Sequence, residues 1–192
     1  MPKNKAILED YRVNINRVKN LIDTFHAIPK KPGPVKATDV DILRASVVFL
    51  HAAFEYYYRQ VVIDGIIHQL KNHKTTDLDR LKLAVPIKDL YTAPAGDLSA
   101  ALDNAVIEEL KKQSFNSYGQ IKTHAKQAGL DIDSFTKGKE LDEMIQRRHV
   151  IVHHADNCNG GANSKNKLTD DIVENWLAAV DELVALIEKN NI

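Results

Sequence analysis

The 192 residues carry 26 basic and 26 acidic side chains, a formal net charge of zero with histidine neutral, which argues against long-range electrostatic capture of duplex DNA and leaves any nucleic-acid contact to a local site. That length suits one hydrophobic core rather than two, so a single domain over 1–192 is expected. The lone cysteine, Cys158, rules out an intrachain disulfide and a cysteine-rich zinc site, and fits a reducing compartment.

Met1-Pro-Lys-Asn-Lys-Ala leads into a charged helical pattern, not an apolar signal core, and no run is long and uncharged enough to span a bilayer. A cytoplasmic protein without a membrane partner is the expectation. From 5 to 27, Ile7, Tyr11, Ile15, Val18 and Ile22 recur at helical spacing among polar residues, predicting an amphipathic helix. Prolines cluster after Ile28, so 1–30 reads as an N-terminal helix and linker.

Thr38 or Asp39 can cap the next helix, which runs to about Asn72. Leu43, Val47, Leu50, Phe54, Tyr57 and Val61 form one apolar stripe, and Val48, Ala52, Val62 and Ile66 a second, the mark of a helix central to a bundle. Glu55 and Arg59 stand four apart beside the second stripe: they read as a partly buried ion pair, or Glu55 holds a catalytic group from elsewhere. The stretch 75–94 is irregular, with a short helix expected over 78–85. Helices follow over 98–112, 118–128, 139–155 and 169–189, the second of these stopped by Gly129 and the last facing inward through Val173, Trp176, Val180, Leu183 and Ile187. No alternating strand pattern appears, and an all-α antiparallel bundle follows.

The chemistry concentrates on the helix 139–155. Leu141, Ile145, Val152 and Ala155 fall on one arc, with Arg148 in its middle, where an arginine is costly to bury unless an acid or an anionic ligand meets it. Gln146, His149 and His153 lie on one flank of that arc. Here the chain resembles a known family. The segment Arg148-His-Val-Ile-Val-His153 fits the R-x-x-x-x-H signature of the HEPN superfamily. Its context from Arg147 through His154 to Asp156, and the run Leu50-His-Ala-Ala-Phe-Glu-Tyr-Tyr, look like the RiboL-PSP-HEPN branch.

The resemblance covers roughly 39–187 and implies a HEPN-type bundle, here with an extra N-terminal helix, that works as a homodimer. In active members it implies a metal-independent endoribonuclease without cofactor. Carried over, Arg148 binds and polarises the scissile phosphate, His153 acts as general base or acid, and His149 stands at a polar position more often held by asparagine. Glu55, Arg147 and His154 are supporting candidates. A toxin neutralised by an antitoxin protein and a defence ribonuclease are both settings that the resemblance suggests. A non-catalytic dimeric module that binds RNA or protein is the alternative.

Independently of family, cleavage of RNA by its own 2′-hydroxyl needs a base, an acid and positive charge on the phosphorane, which imidazole and guanidinium supply. Other readings compete. Arg148 can pair with Glu55 while the histidines sit on a solvated flank. His149 and His153, with His154, Asp156 or Cys158, can hold a metal, although no H-E-x-x-H pattern exists and Arg148 repels a cation. Tyr56, Tyr57 and Tyr58 point about 100° apart on a helix and cannot form one base-stacking platform.

Overall fold

A computed structural model describes residues 2–29, 36–72, 78, 83–85, 98–157 and 166–190. Among them are six helices and no strand: α1 (Pro2–His26), α2 (Ala37–Lys71), α3 (Ser99–Lys112), α4 (Tyr118–Ala128), α5 (Gly138–His154) and α6 (Asp170–Asn190). None of the described helices is long and apolar enough to cross a membrane. Of the short helix expected over 78–85, Leu78 and 83–85 are described and are not helical, whereas 79–82, like Cys158, lie outside the described residues.

All five other helices pack against α2, which at 35 residues is the axis of the bundle. Its first stripe, Leu43 through Val61, is wholly buried as expected. The second stripe is split. Val62 and Ile66 are buried, but Val48 is only half-buried and Ala52 is exposed. The other apolar faces lie inward as patterned: Tyr11, Ile15, Val18 and Ile22 of α1, and Val173, Trp176, Val180, Leu183 and Ile187 of α6.

The tyrosine hydroxyls that reach into this core find partners, as the cost of an unmet polar group requires. Tyr11 donates to Asp181 Oδ1 at 2.7 Å, Tyr57 to Glu188 Oε1 at 2.5 Å and Tyr58 to the Ile121 carbonyl at 2.5 Å. Tyr57 and Tyr58 are therefore core residues, and only Tyr56 of the tyrosine run is exposed.

The start of α2 is capped differently from expectation. The cap of α2 is Lys36, in extended backbone and without a side-chain hydrogen bond, so neither Thr38 nor Asp39 caps it. Asp39 instead places its carboxylate in the first turn, where the helix dipole favours negative charge. Gly129 ends α4 as foreseen, at φ 72°, with the Leu130 N–H donating to the Ala125 carbonyl at 2.8 Å.

The approach of α4 to α2 depends on Gly65. A β-carbon there would lie 2.6 Å from the Ala128 carbonyl oxygen and 2.7 Å from its Cβ. Alanine in a helix gains about 1 kcal/mol over glycine, most of which a β-branched residue forfeits. Gly65→Val is accordingly expected to lower the unfolding free energy by about 2 kcal/mol or more through overpacking, measured by urea titration of the circular dichroism signal. A valine variant as stable as the wild type would show that the two helices are not held at this distance.

Candidate functional site

The motif helix α5 is anchored at one end and free at the other. Gly138, Leu141, Met144 and Ile145 are buried, and the Asp142 carboxylate accepts the Tyr118 N–H at 2.6 Å, tying the first turns of α5 to the start of α4. Beyond Ile145 the helix leaves the core. Arg148 and Ile151 are half-buried, whereas His149, His153, His154 and Ala155 are exposed and Val152 is 48% exposed. The inward arc expected to continue through Val152 and Ala155 thus stops two turns early, because no described element covers the outer side of α5 there.

A buried carboxylate holds this protruding end in place. The helix closes at His154, one residue short of expectation, and Ala155 and Asp156 both take left-handed conformations at φ 48° and 59°. That turn sends Asp156 back under the helix, where it has no exposed surface and its N–H donates to the Val150 carbonyl at 3.1 Å. Arg44 of α2 donates its Nε–H to Asp156 Oδ2 at 2.7 Å and pairs through Nη1 with Asp41 at 2.8 Å. Arg147 Nε lies 3.0 Å from Asp156 Oδ1 but out of line for a hydrogen bond, so charge alone holds that contact. The Arg147 guanidinium also donates to the Asn166 and Lys167 carbonyls at 3.0 and 2.8 Å, and the Asn166 N–H donates to the Asp156 carbonyl at 3.0 Å. Burial pushes the Arg147 pKa down, Asp156 opposes this, and the Arg44 charge adds to the fall.

Two expectations change. Arg147 does not support the histidines; it is spent on the clamp, because its position on α5 faces the returning chain. Asp156, offered as a ligand in the metal reading, is committed to two arginines. Neither Arg44 nor the clamp was foreseen. The available signal was Arg44 itself, a cation adjoining the buried stripe of α2 three residues after Asp41.

On the open side, the His149 and His153 rings stand 4.6 Å apart between centroids, and His149 and His154 5.9 Å apart. Three imidazoles therefore gather at one helix end, beside Arg148. Among the described residues no acid lies within ion-pair reach of Arg148. Glu55 is held elsewhere: its Oε1 accepts from Arg59 at 2.5 Å, and Arg59 in turn donates to the Leu110 and Gln113 carbonyls that end α3. The pairing of Arg148 with Glu55 is thus not made, and the Glu55–Arg59 pair is.

A further residue enters from α2. His51, which pattern reading passed over between Leu50 and Ala52, is 4% exposed and faces α5. Its Nδ1 lies 3.6 Å from Glu55 Oε2, beyond hydrogen-bond length, and has no other partner. Burial lowers the His51 pKa; Glu55 works against that and the positive charge of Arg148 works with it. The spacing of four between His51 and Glu55 was the legible hint.

What this arrangement can do is bind an anion. A half-buried guanidinium without an acid partner is costly unless a negative ligand completes it. The imidazoles beside it can exchange protons with such a ligand. The model of the RiboL-PSP-HEPN family matches residues 9–189, a span that takes in most of α1 as well as the core 39–187 on which the motifs lie. No curated protein and no solved structure matches the chain.

The clamp generates a stability test. Asp156→Asn keeps the shape but leaves Arg147 without a counter-charge and Arg44 with Asp41 alone, so a loss of about 3 kcal/mol is expected, as for other broken buried pairs. Urea unfolding measures it. A variant within about 1 kcal/mol of wild type would mean that the buried carboxylate contributes little net stability.

Proposed function

The chain belongs to the RiboL-PSP-HEPN family, and on that footing we propose that it is a metal-independent endoribonuclease whose site is Arg148, His149 and His153. Membership of a HEPN-type family by itself suggests a nuclease or RNA-binding role. The observation that carries the finer reading is the half-buried Arg148, unpaired by any described acid, at the edge of a cluster of exposed imidazoles.

In this reading Arg148 takes the non-bridging oxygens of a phosphodiester through its planar fork of donors. His153 removes the proton from the ribose 2′-hydroxyl, whose oxygen attacks phosphorus. A second imidazole protonates the departing 5′-oxygen, giving a 2′,3′-cyclic phosphate and a free 5′-hydroxyl. Positive charge from Arg148 stabilises the phosphorane between these steps. DNA lacks the internal nucleophile and is not cut by this route.

The working unit in this proposal is a symmetric dimer. One chain supplies one Arg148, and a two-fold axis near α5 brings a second arginine and a second set of imidazoles to the same phosphate, so that acid and base roles divide between subunits. Exposed apolar side chains are available to such an interface: Val152 on α5 beside the site, and Phe49 and Tyr56 on a face of α2 where Arg17 of α1 lies over the Phe49 ring. Their burial against a second copy is the hydrophobic contribution such an interface needs.

Three outcomes are expected. His153→Ala lowers cleavage of total RNA by about 10²- to 10⁴-fold, the range for losing a general acid or base, with helical circular dichroism unchanged. Cleavage persists in EDTA, since imidazole and guanidinium do the work; abolition by chelator with rescue by zinc or manganese would reassign the histidines as ligands. Mixing His153→Ala subunits with exchanging wild-type subunits reduces activity more than dilution does, whereas full activity from a light-scattering monomer would exclude the shared site. RNA that binds wild-type protein but is never cut would leave the family role as RNA binding alone.

A further inference from the structure

Among the described residues, the imidazole of His51 is a buried group near the site that has neither a hydrogen bond at Nδ1 nor an ion pair within hydrogen-bond length. It is 4% exposed, and its Nδ1 is a buried polar atom without a hydrogen bond. Such an orphan is costly and calls for a reason. The nearest acceptor, Glu55 Oε2, stands 3.6 Å away. It is aimed and held there, because the other oxygen of the same carboxylate is fixed by Arg59. A carboxylate only accepts hydrogen bonds, so a neutral ring with its lone pair on Nδ1 has nothing to offer it and the gap stays open. A proton on Nδ1 would close the gap with a charge-assisted hydrogen bond.

We propose that His51, with Glu55 behind it, is a positioning residue of the phosphate site: a buried imidazole that stays neutral behind Arg148 in the free protein and takes up a proton when an RNA phosphate occupies that arginine. The inference rests on Arg148 as the phosphate-binding residue, not on the cleavage reaction. The groups facing His51 are Glu55 on its own helix and Arg148 from α5, with Arg59 acting through Glu55. Arg44, two turns earlier on α2, is already matched by Asp41 and Asp156. In the free protein burial and the Arg148 charge hold the ring neutral. A phosphate on Arg148 cancels that repulsion and adds negative charge of its own, leaving Glu55 to favour the protonated ring. The bond then formed draws His51 and Glu55 together and fixes the surface on which Arg148 rests.

Proton and phosphate binding are then reciprocal. Lowering the pH through the window between the free and the occupied titration midpoints of His51 tightens RNA binding, and raising it weakens binding. His149, His153 and His154 also stand beside Arg148, so the test has to observe His51 itself.

The experiment is a histidine-resolved NMR titration of the full chain, with His51 assigned through His51→Gln. The probe is a single-stranded RNA oligonucleotide with 2′-O-methyl riboses, which occupies the site and cannot be cut. The expected result is a free-state midpoint below that of an ordinary histidine, moving upward when the oligonucleotide saturates the protein. Arg148→Gln, in the absence of RNA, raises the free midpoint. Glu55→Gln lowers it and abolishes the upward movement on binding. With a cleavable RNA, His51→Gln reduces kcat by about tenfold, less than loss of the proton-transferring group itself, and alters the pH profile, which a merely structural change does not. A His51 signal that neither the oligonucleotide nor Arg148→Gln moves, or an oligonucleotide that fails to bind, overturns the proposal. If the oligonucleotide moves His51 while natural RNA stays intact, the cleavage reading fails and this one stands. If RNA is cut and His51 does not respond, the reverse holds.

Discussion

Asp156 is the carboxylate on which the geometry of the site depends. Two consecutive non-glycine residues in left-handed backbone, Ala155 and Asp156, are held against their own preference, at a cost of order 1–3 kcal/mol each. Such a turn persists only where its surroundings over-determine it. Here Arg44 reaches it from α2, Arg147 from α5, and the Asn166 amide from the segment leading into α6. Three parts of the chain therefore meet on one buried charge. Because they do, the last two turns of α5 are fixed against α2 even though little apolar surface is buried between them, and Arg148 and the histidines are presented at a set angle.

The central helix carries the matching half of this design. Arg44, His51, Glu55 and Arg59 follow one another at spacings of seven, four and four, which places them on a single flank of α2. Each meets a different neighbour. Arg44 binds Asp156, His51 lies within the field of Arg148, and Glu55 holds Arg59. Arg59 closes the end of α3 and stacks 4.9 Å from the centre of the Phe115 ring. This flank of α2 is polar toward the end of α5 and toward the end of α3. Charges here are desolvated enough to act on one another strongly and are paired enough to be tolerated.

In a chain of zero formal charge, the proposed anion site is a local one beside that flank of α2. Most arginines and lysines with a charged neighbour are neutralised by it, and long-range attraction averages out over the surface. Arg148 is different in being half-buried without a described acid beside it. Its attraction is short-ranged and directional, suited to a phosphate already at the surface rather than to capture of duplex from a distance. The same neutrality fits a site completed by a second copy, since two whole subunits do not repel.

How the fold and the site were read differs in a way that follows from range. The six described helices, the burial of the first stripe of α2 and the stop at Gly129 are set by periodicity and by local backbone preference, and these act within a few residues. Arg148, His149 and His153 stood out for the same local reason, a cation and imidazoles repeating on one helix. The family resemblance rested on that motif and on the run around Glu55, and the match to residues 9–189 extends it into α1. What local pattern could not decide was where a helix stops being covered. Val152 and Ala155 continue the apolar arc of α5 in sequence, yet both are exposed, outside the core. Nor could it assign partners to charges: Glu55 to Arg59 and not Arg148, Arg147 to the clamp and not the histidines, Arg44 to an aspartate 112 residues away. Helical periodicity determines which face a side chain occupies; only the packing of distant segments decides what meets it there, because a buried ion pair is a contact in space between residues whose separation along the chain carries no signal.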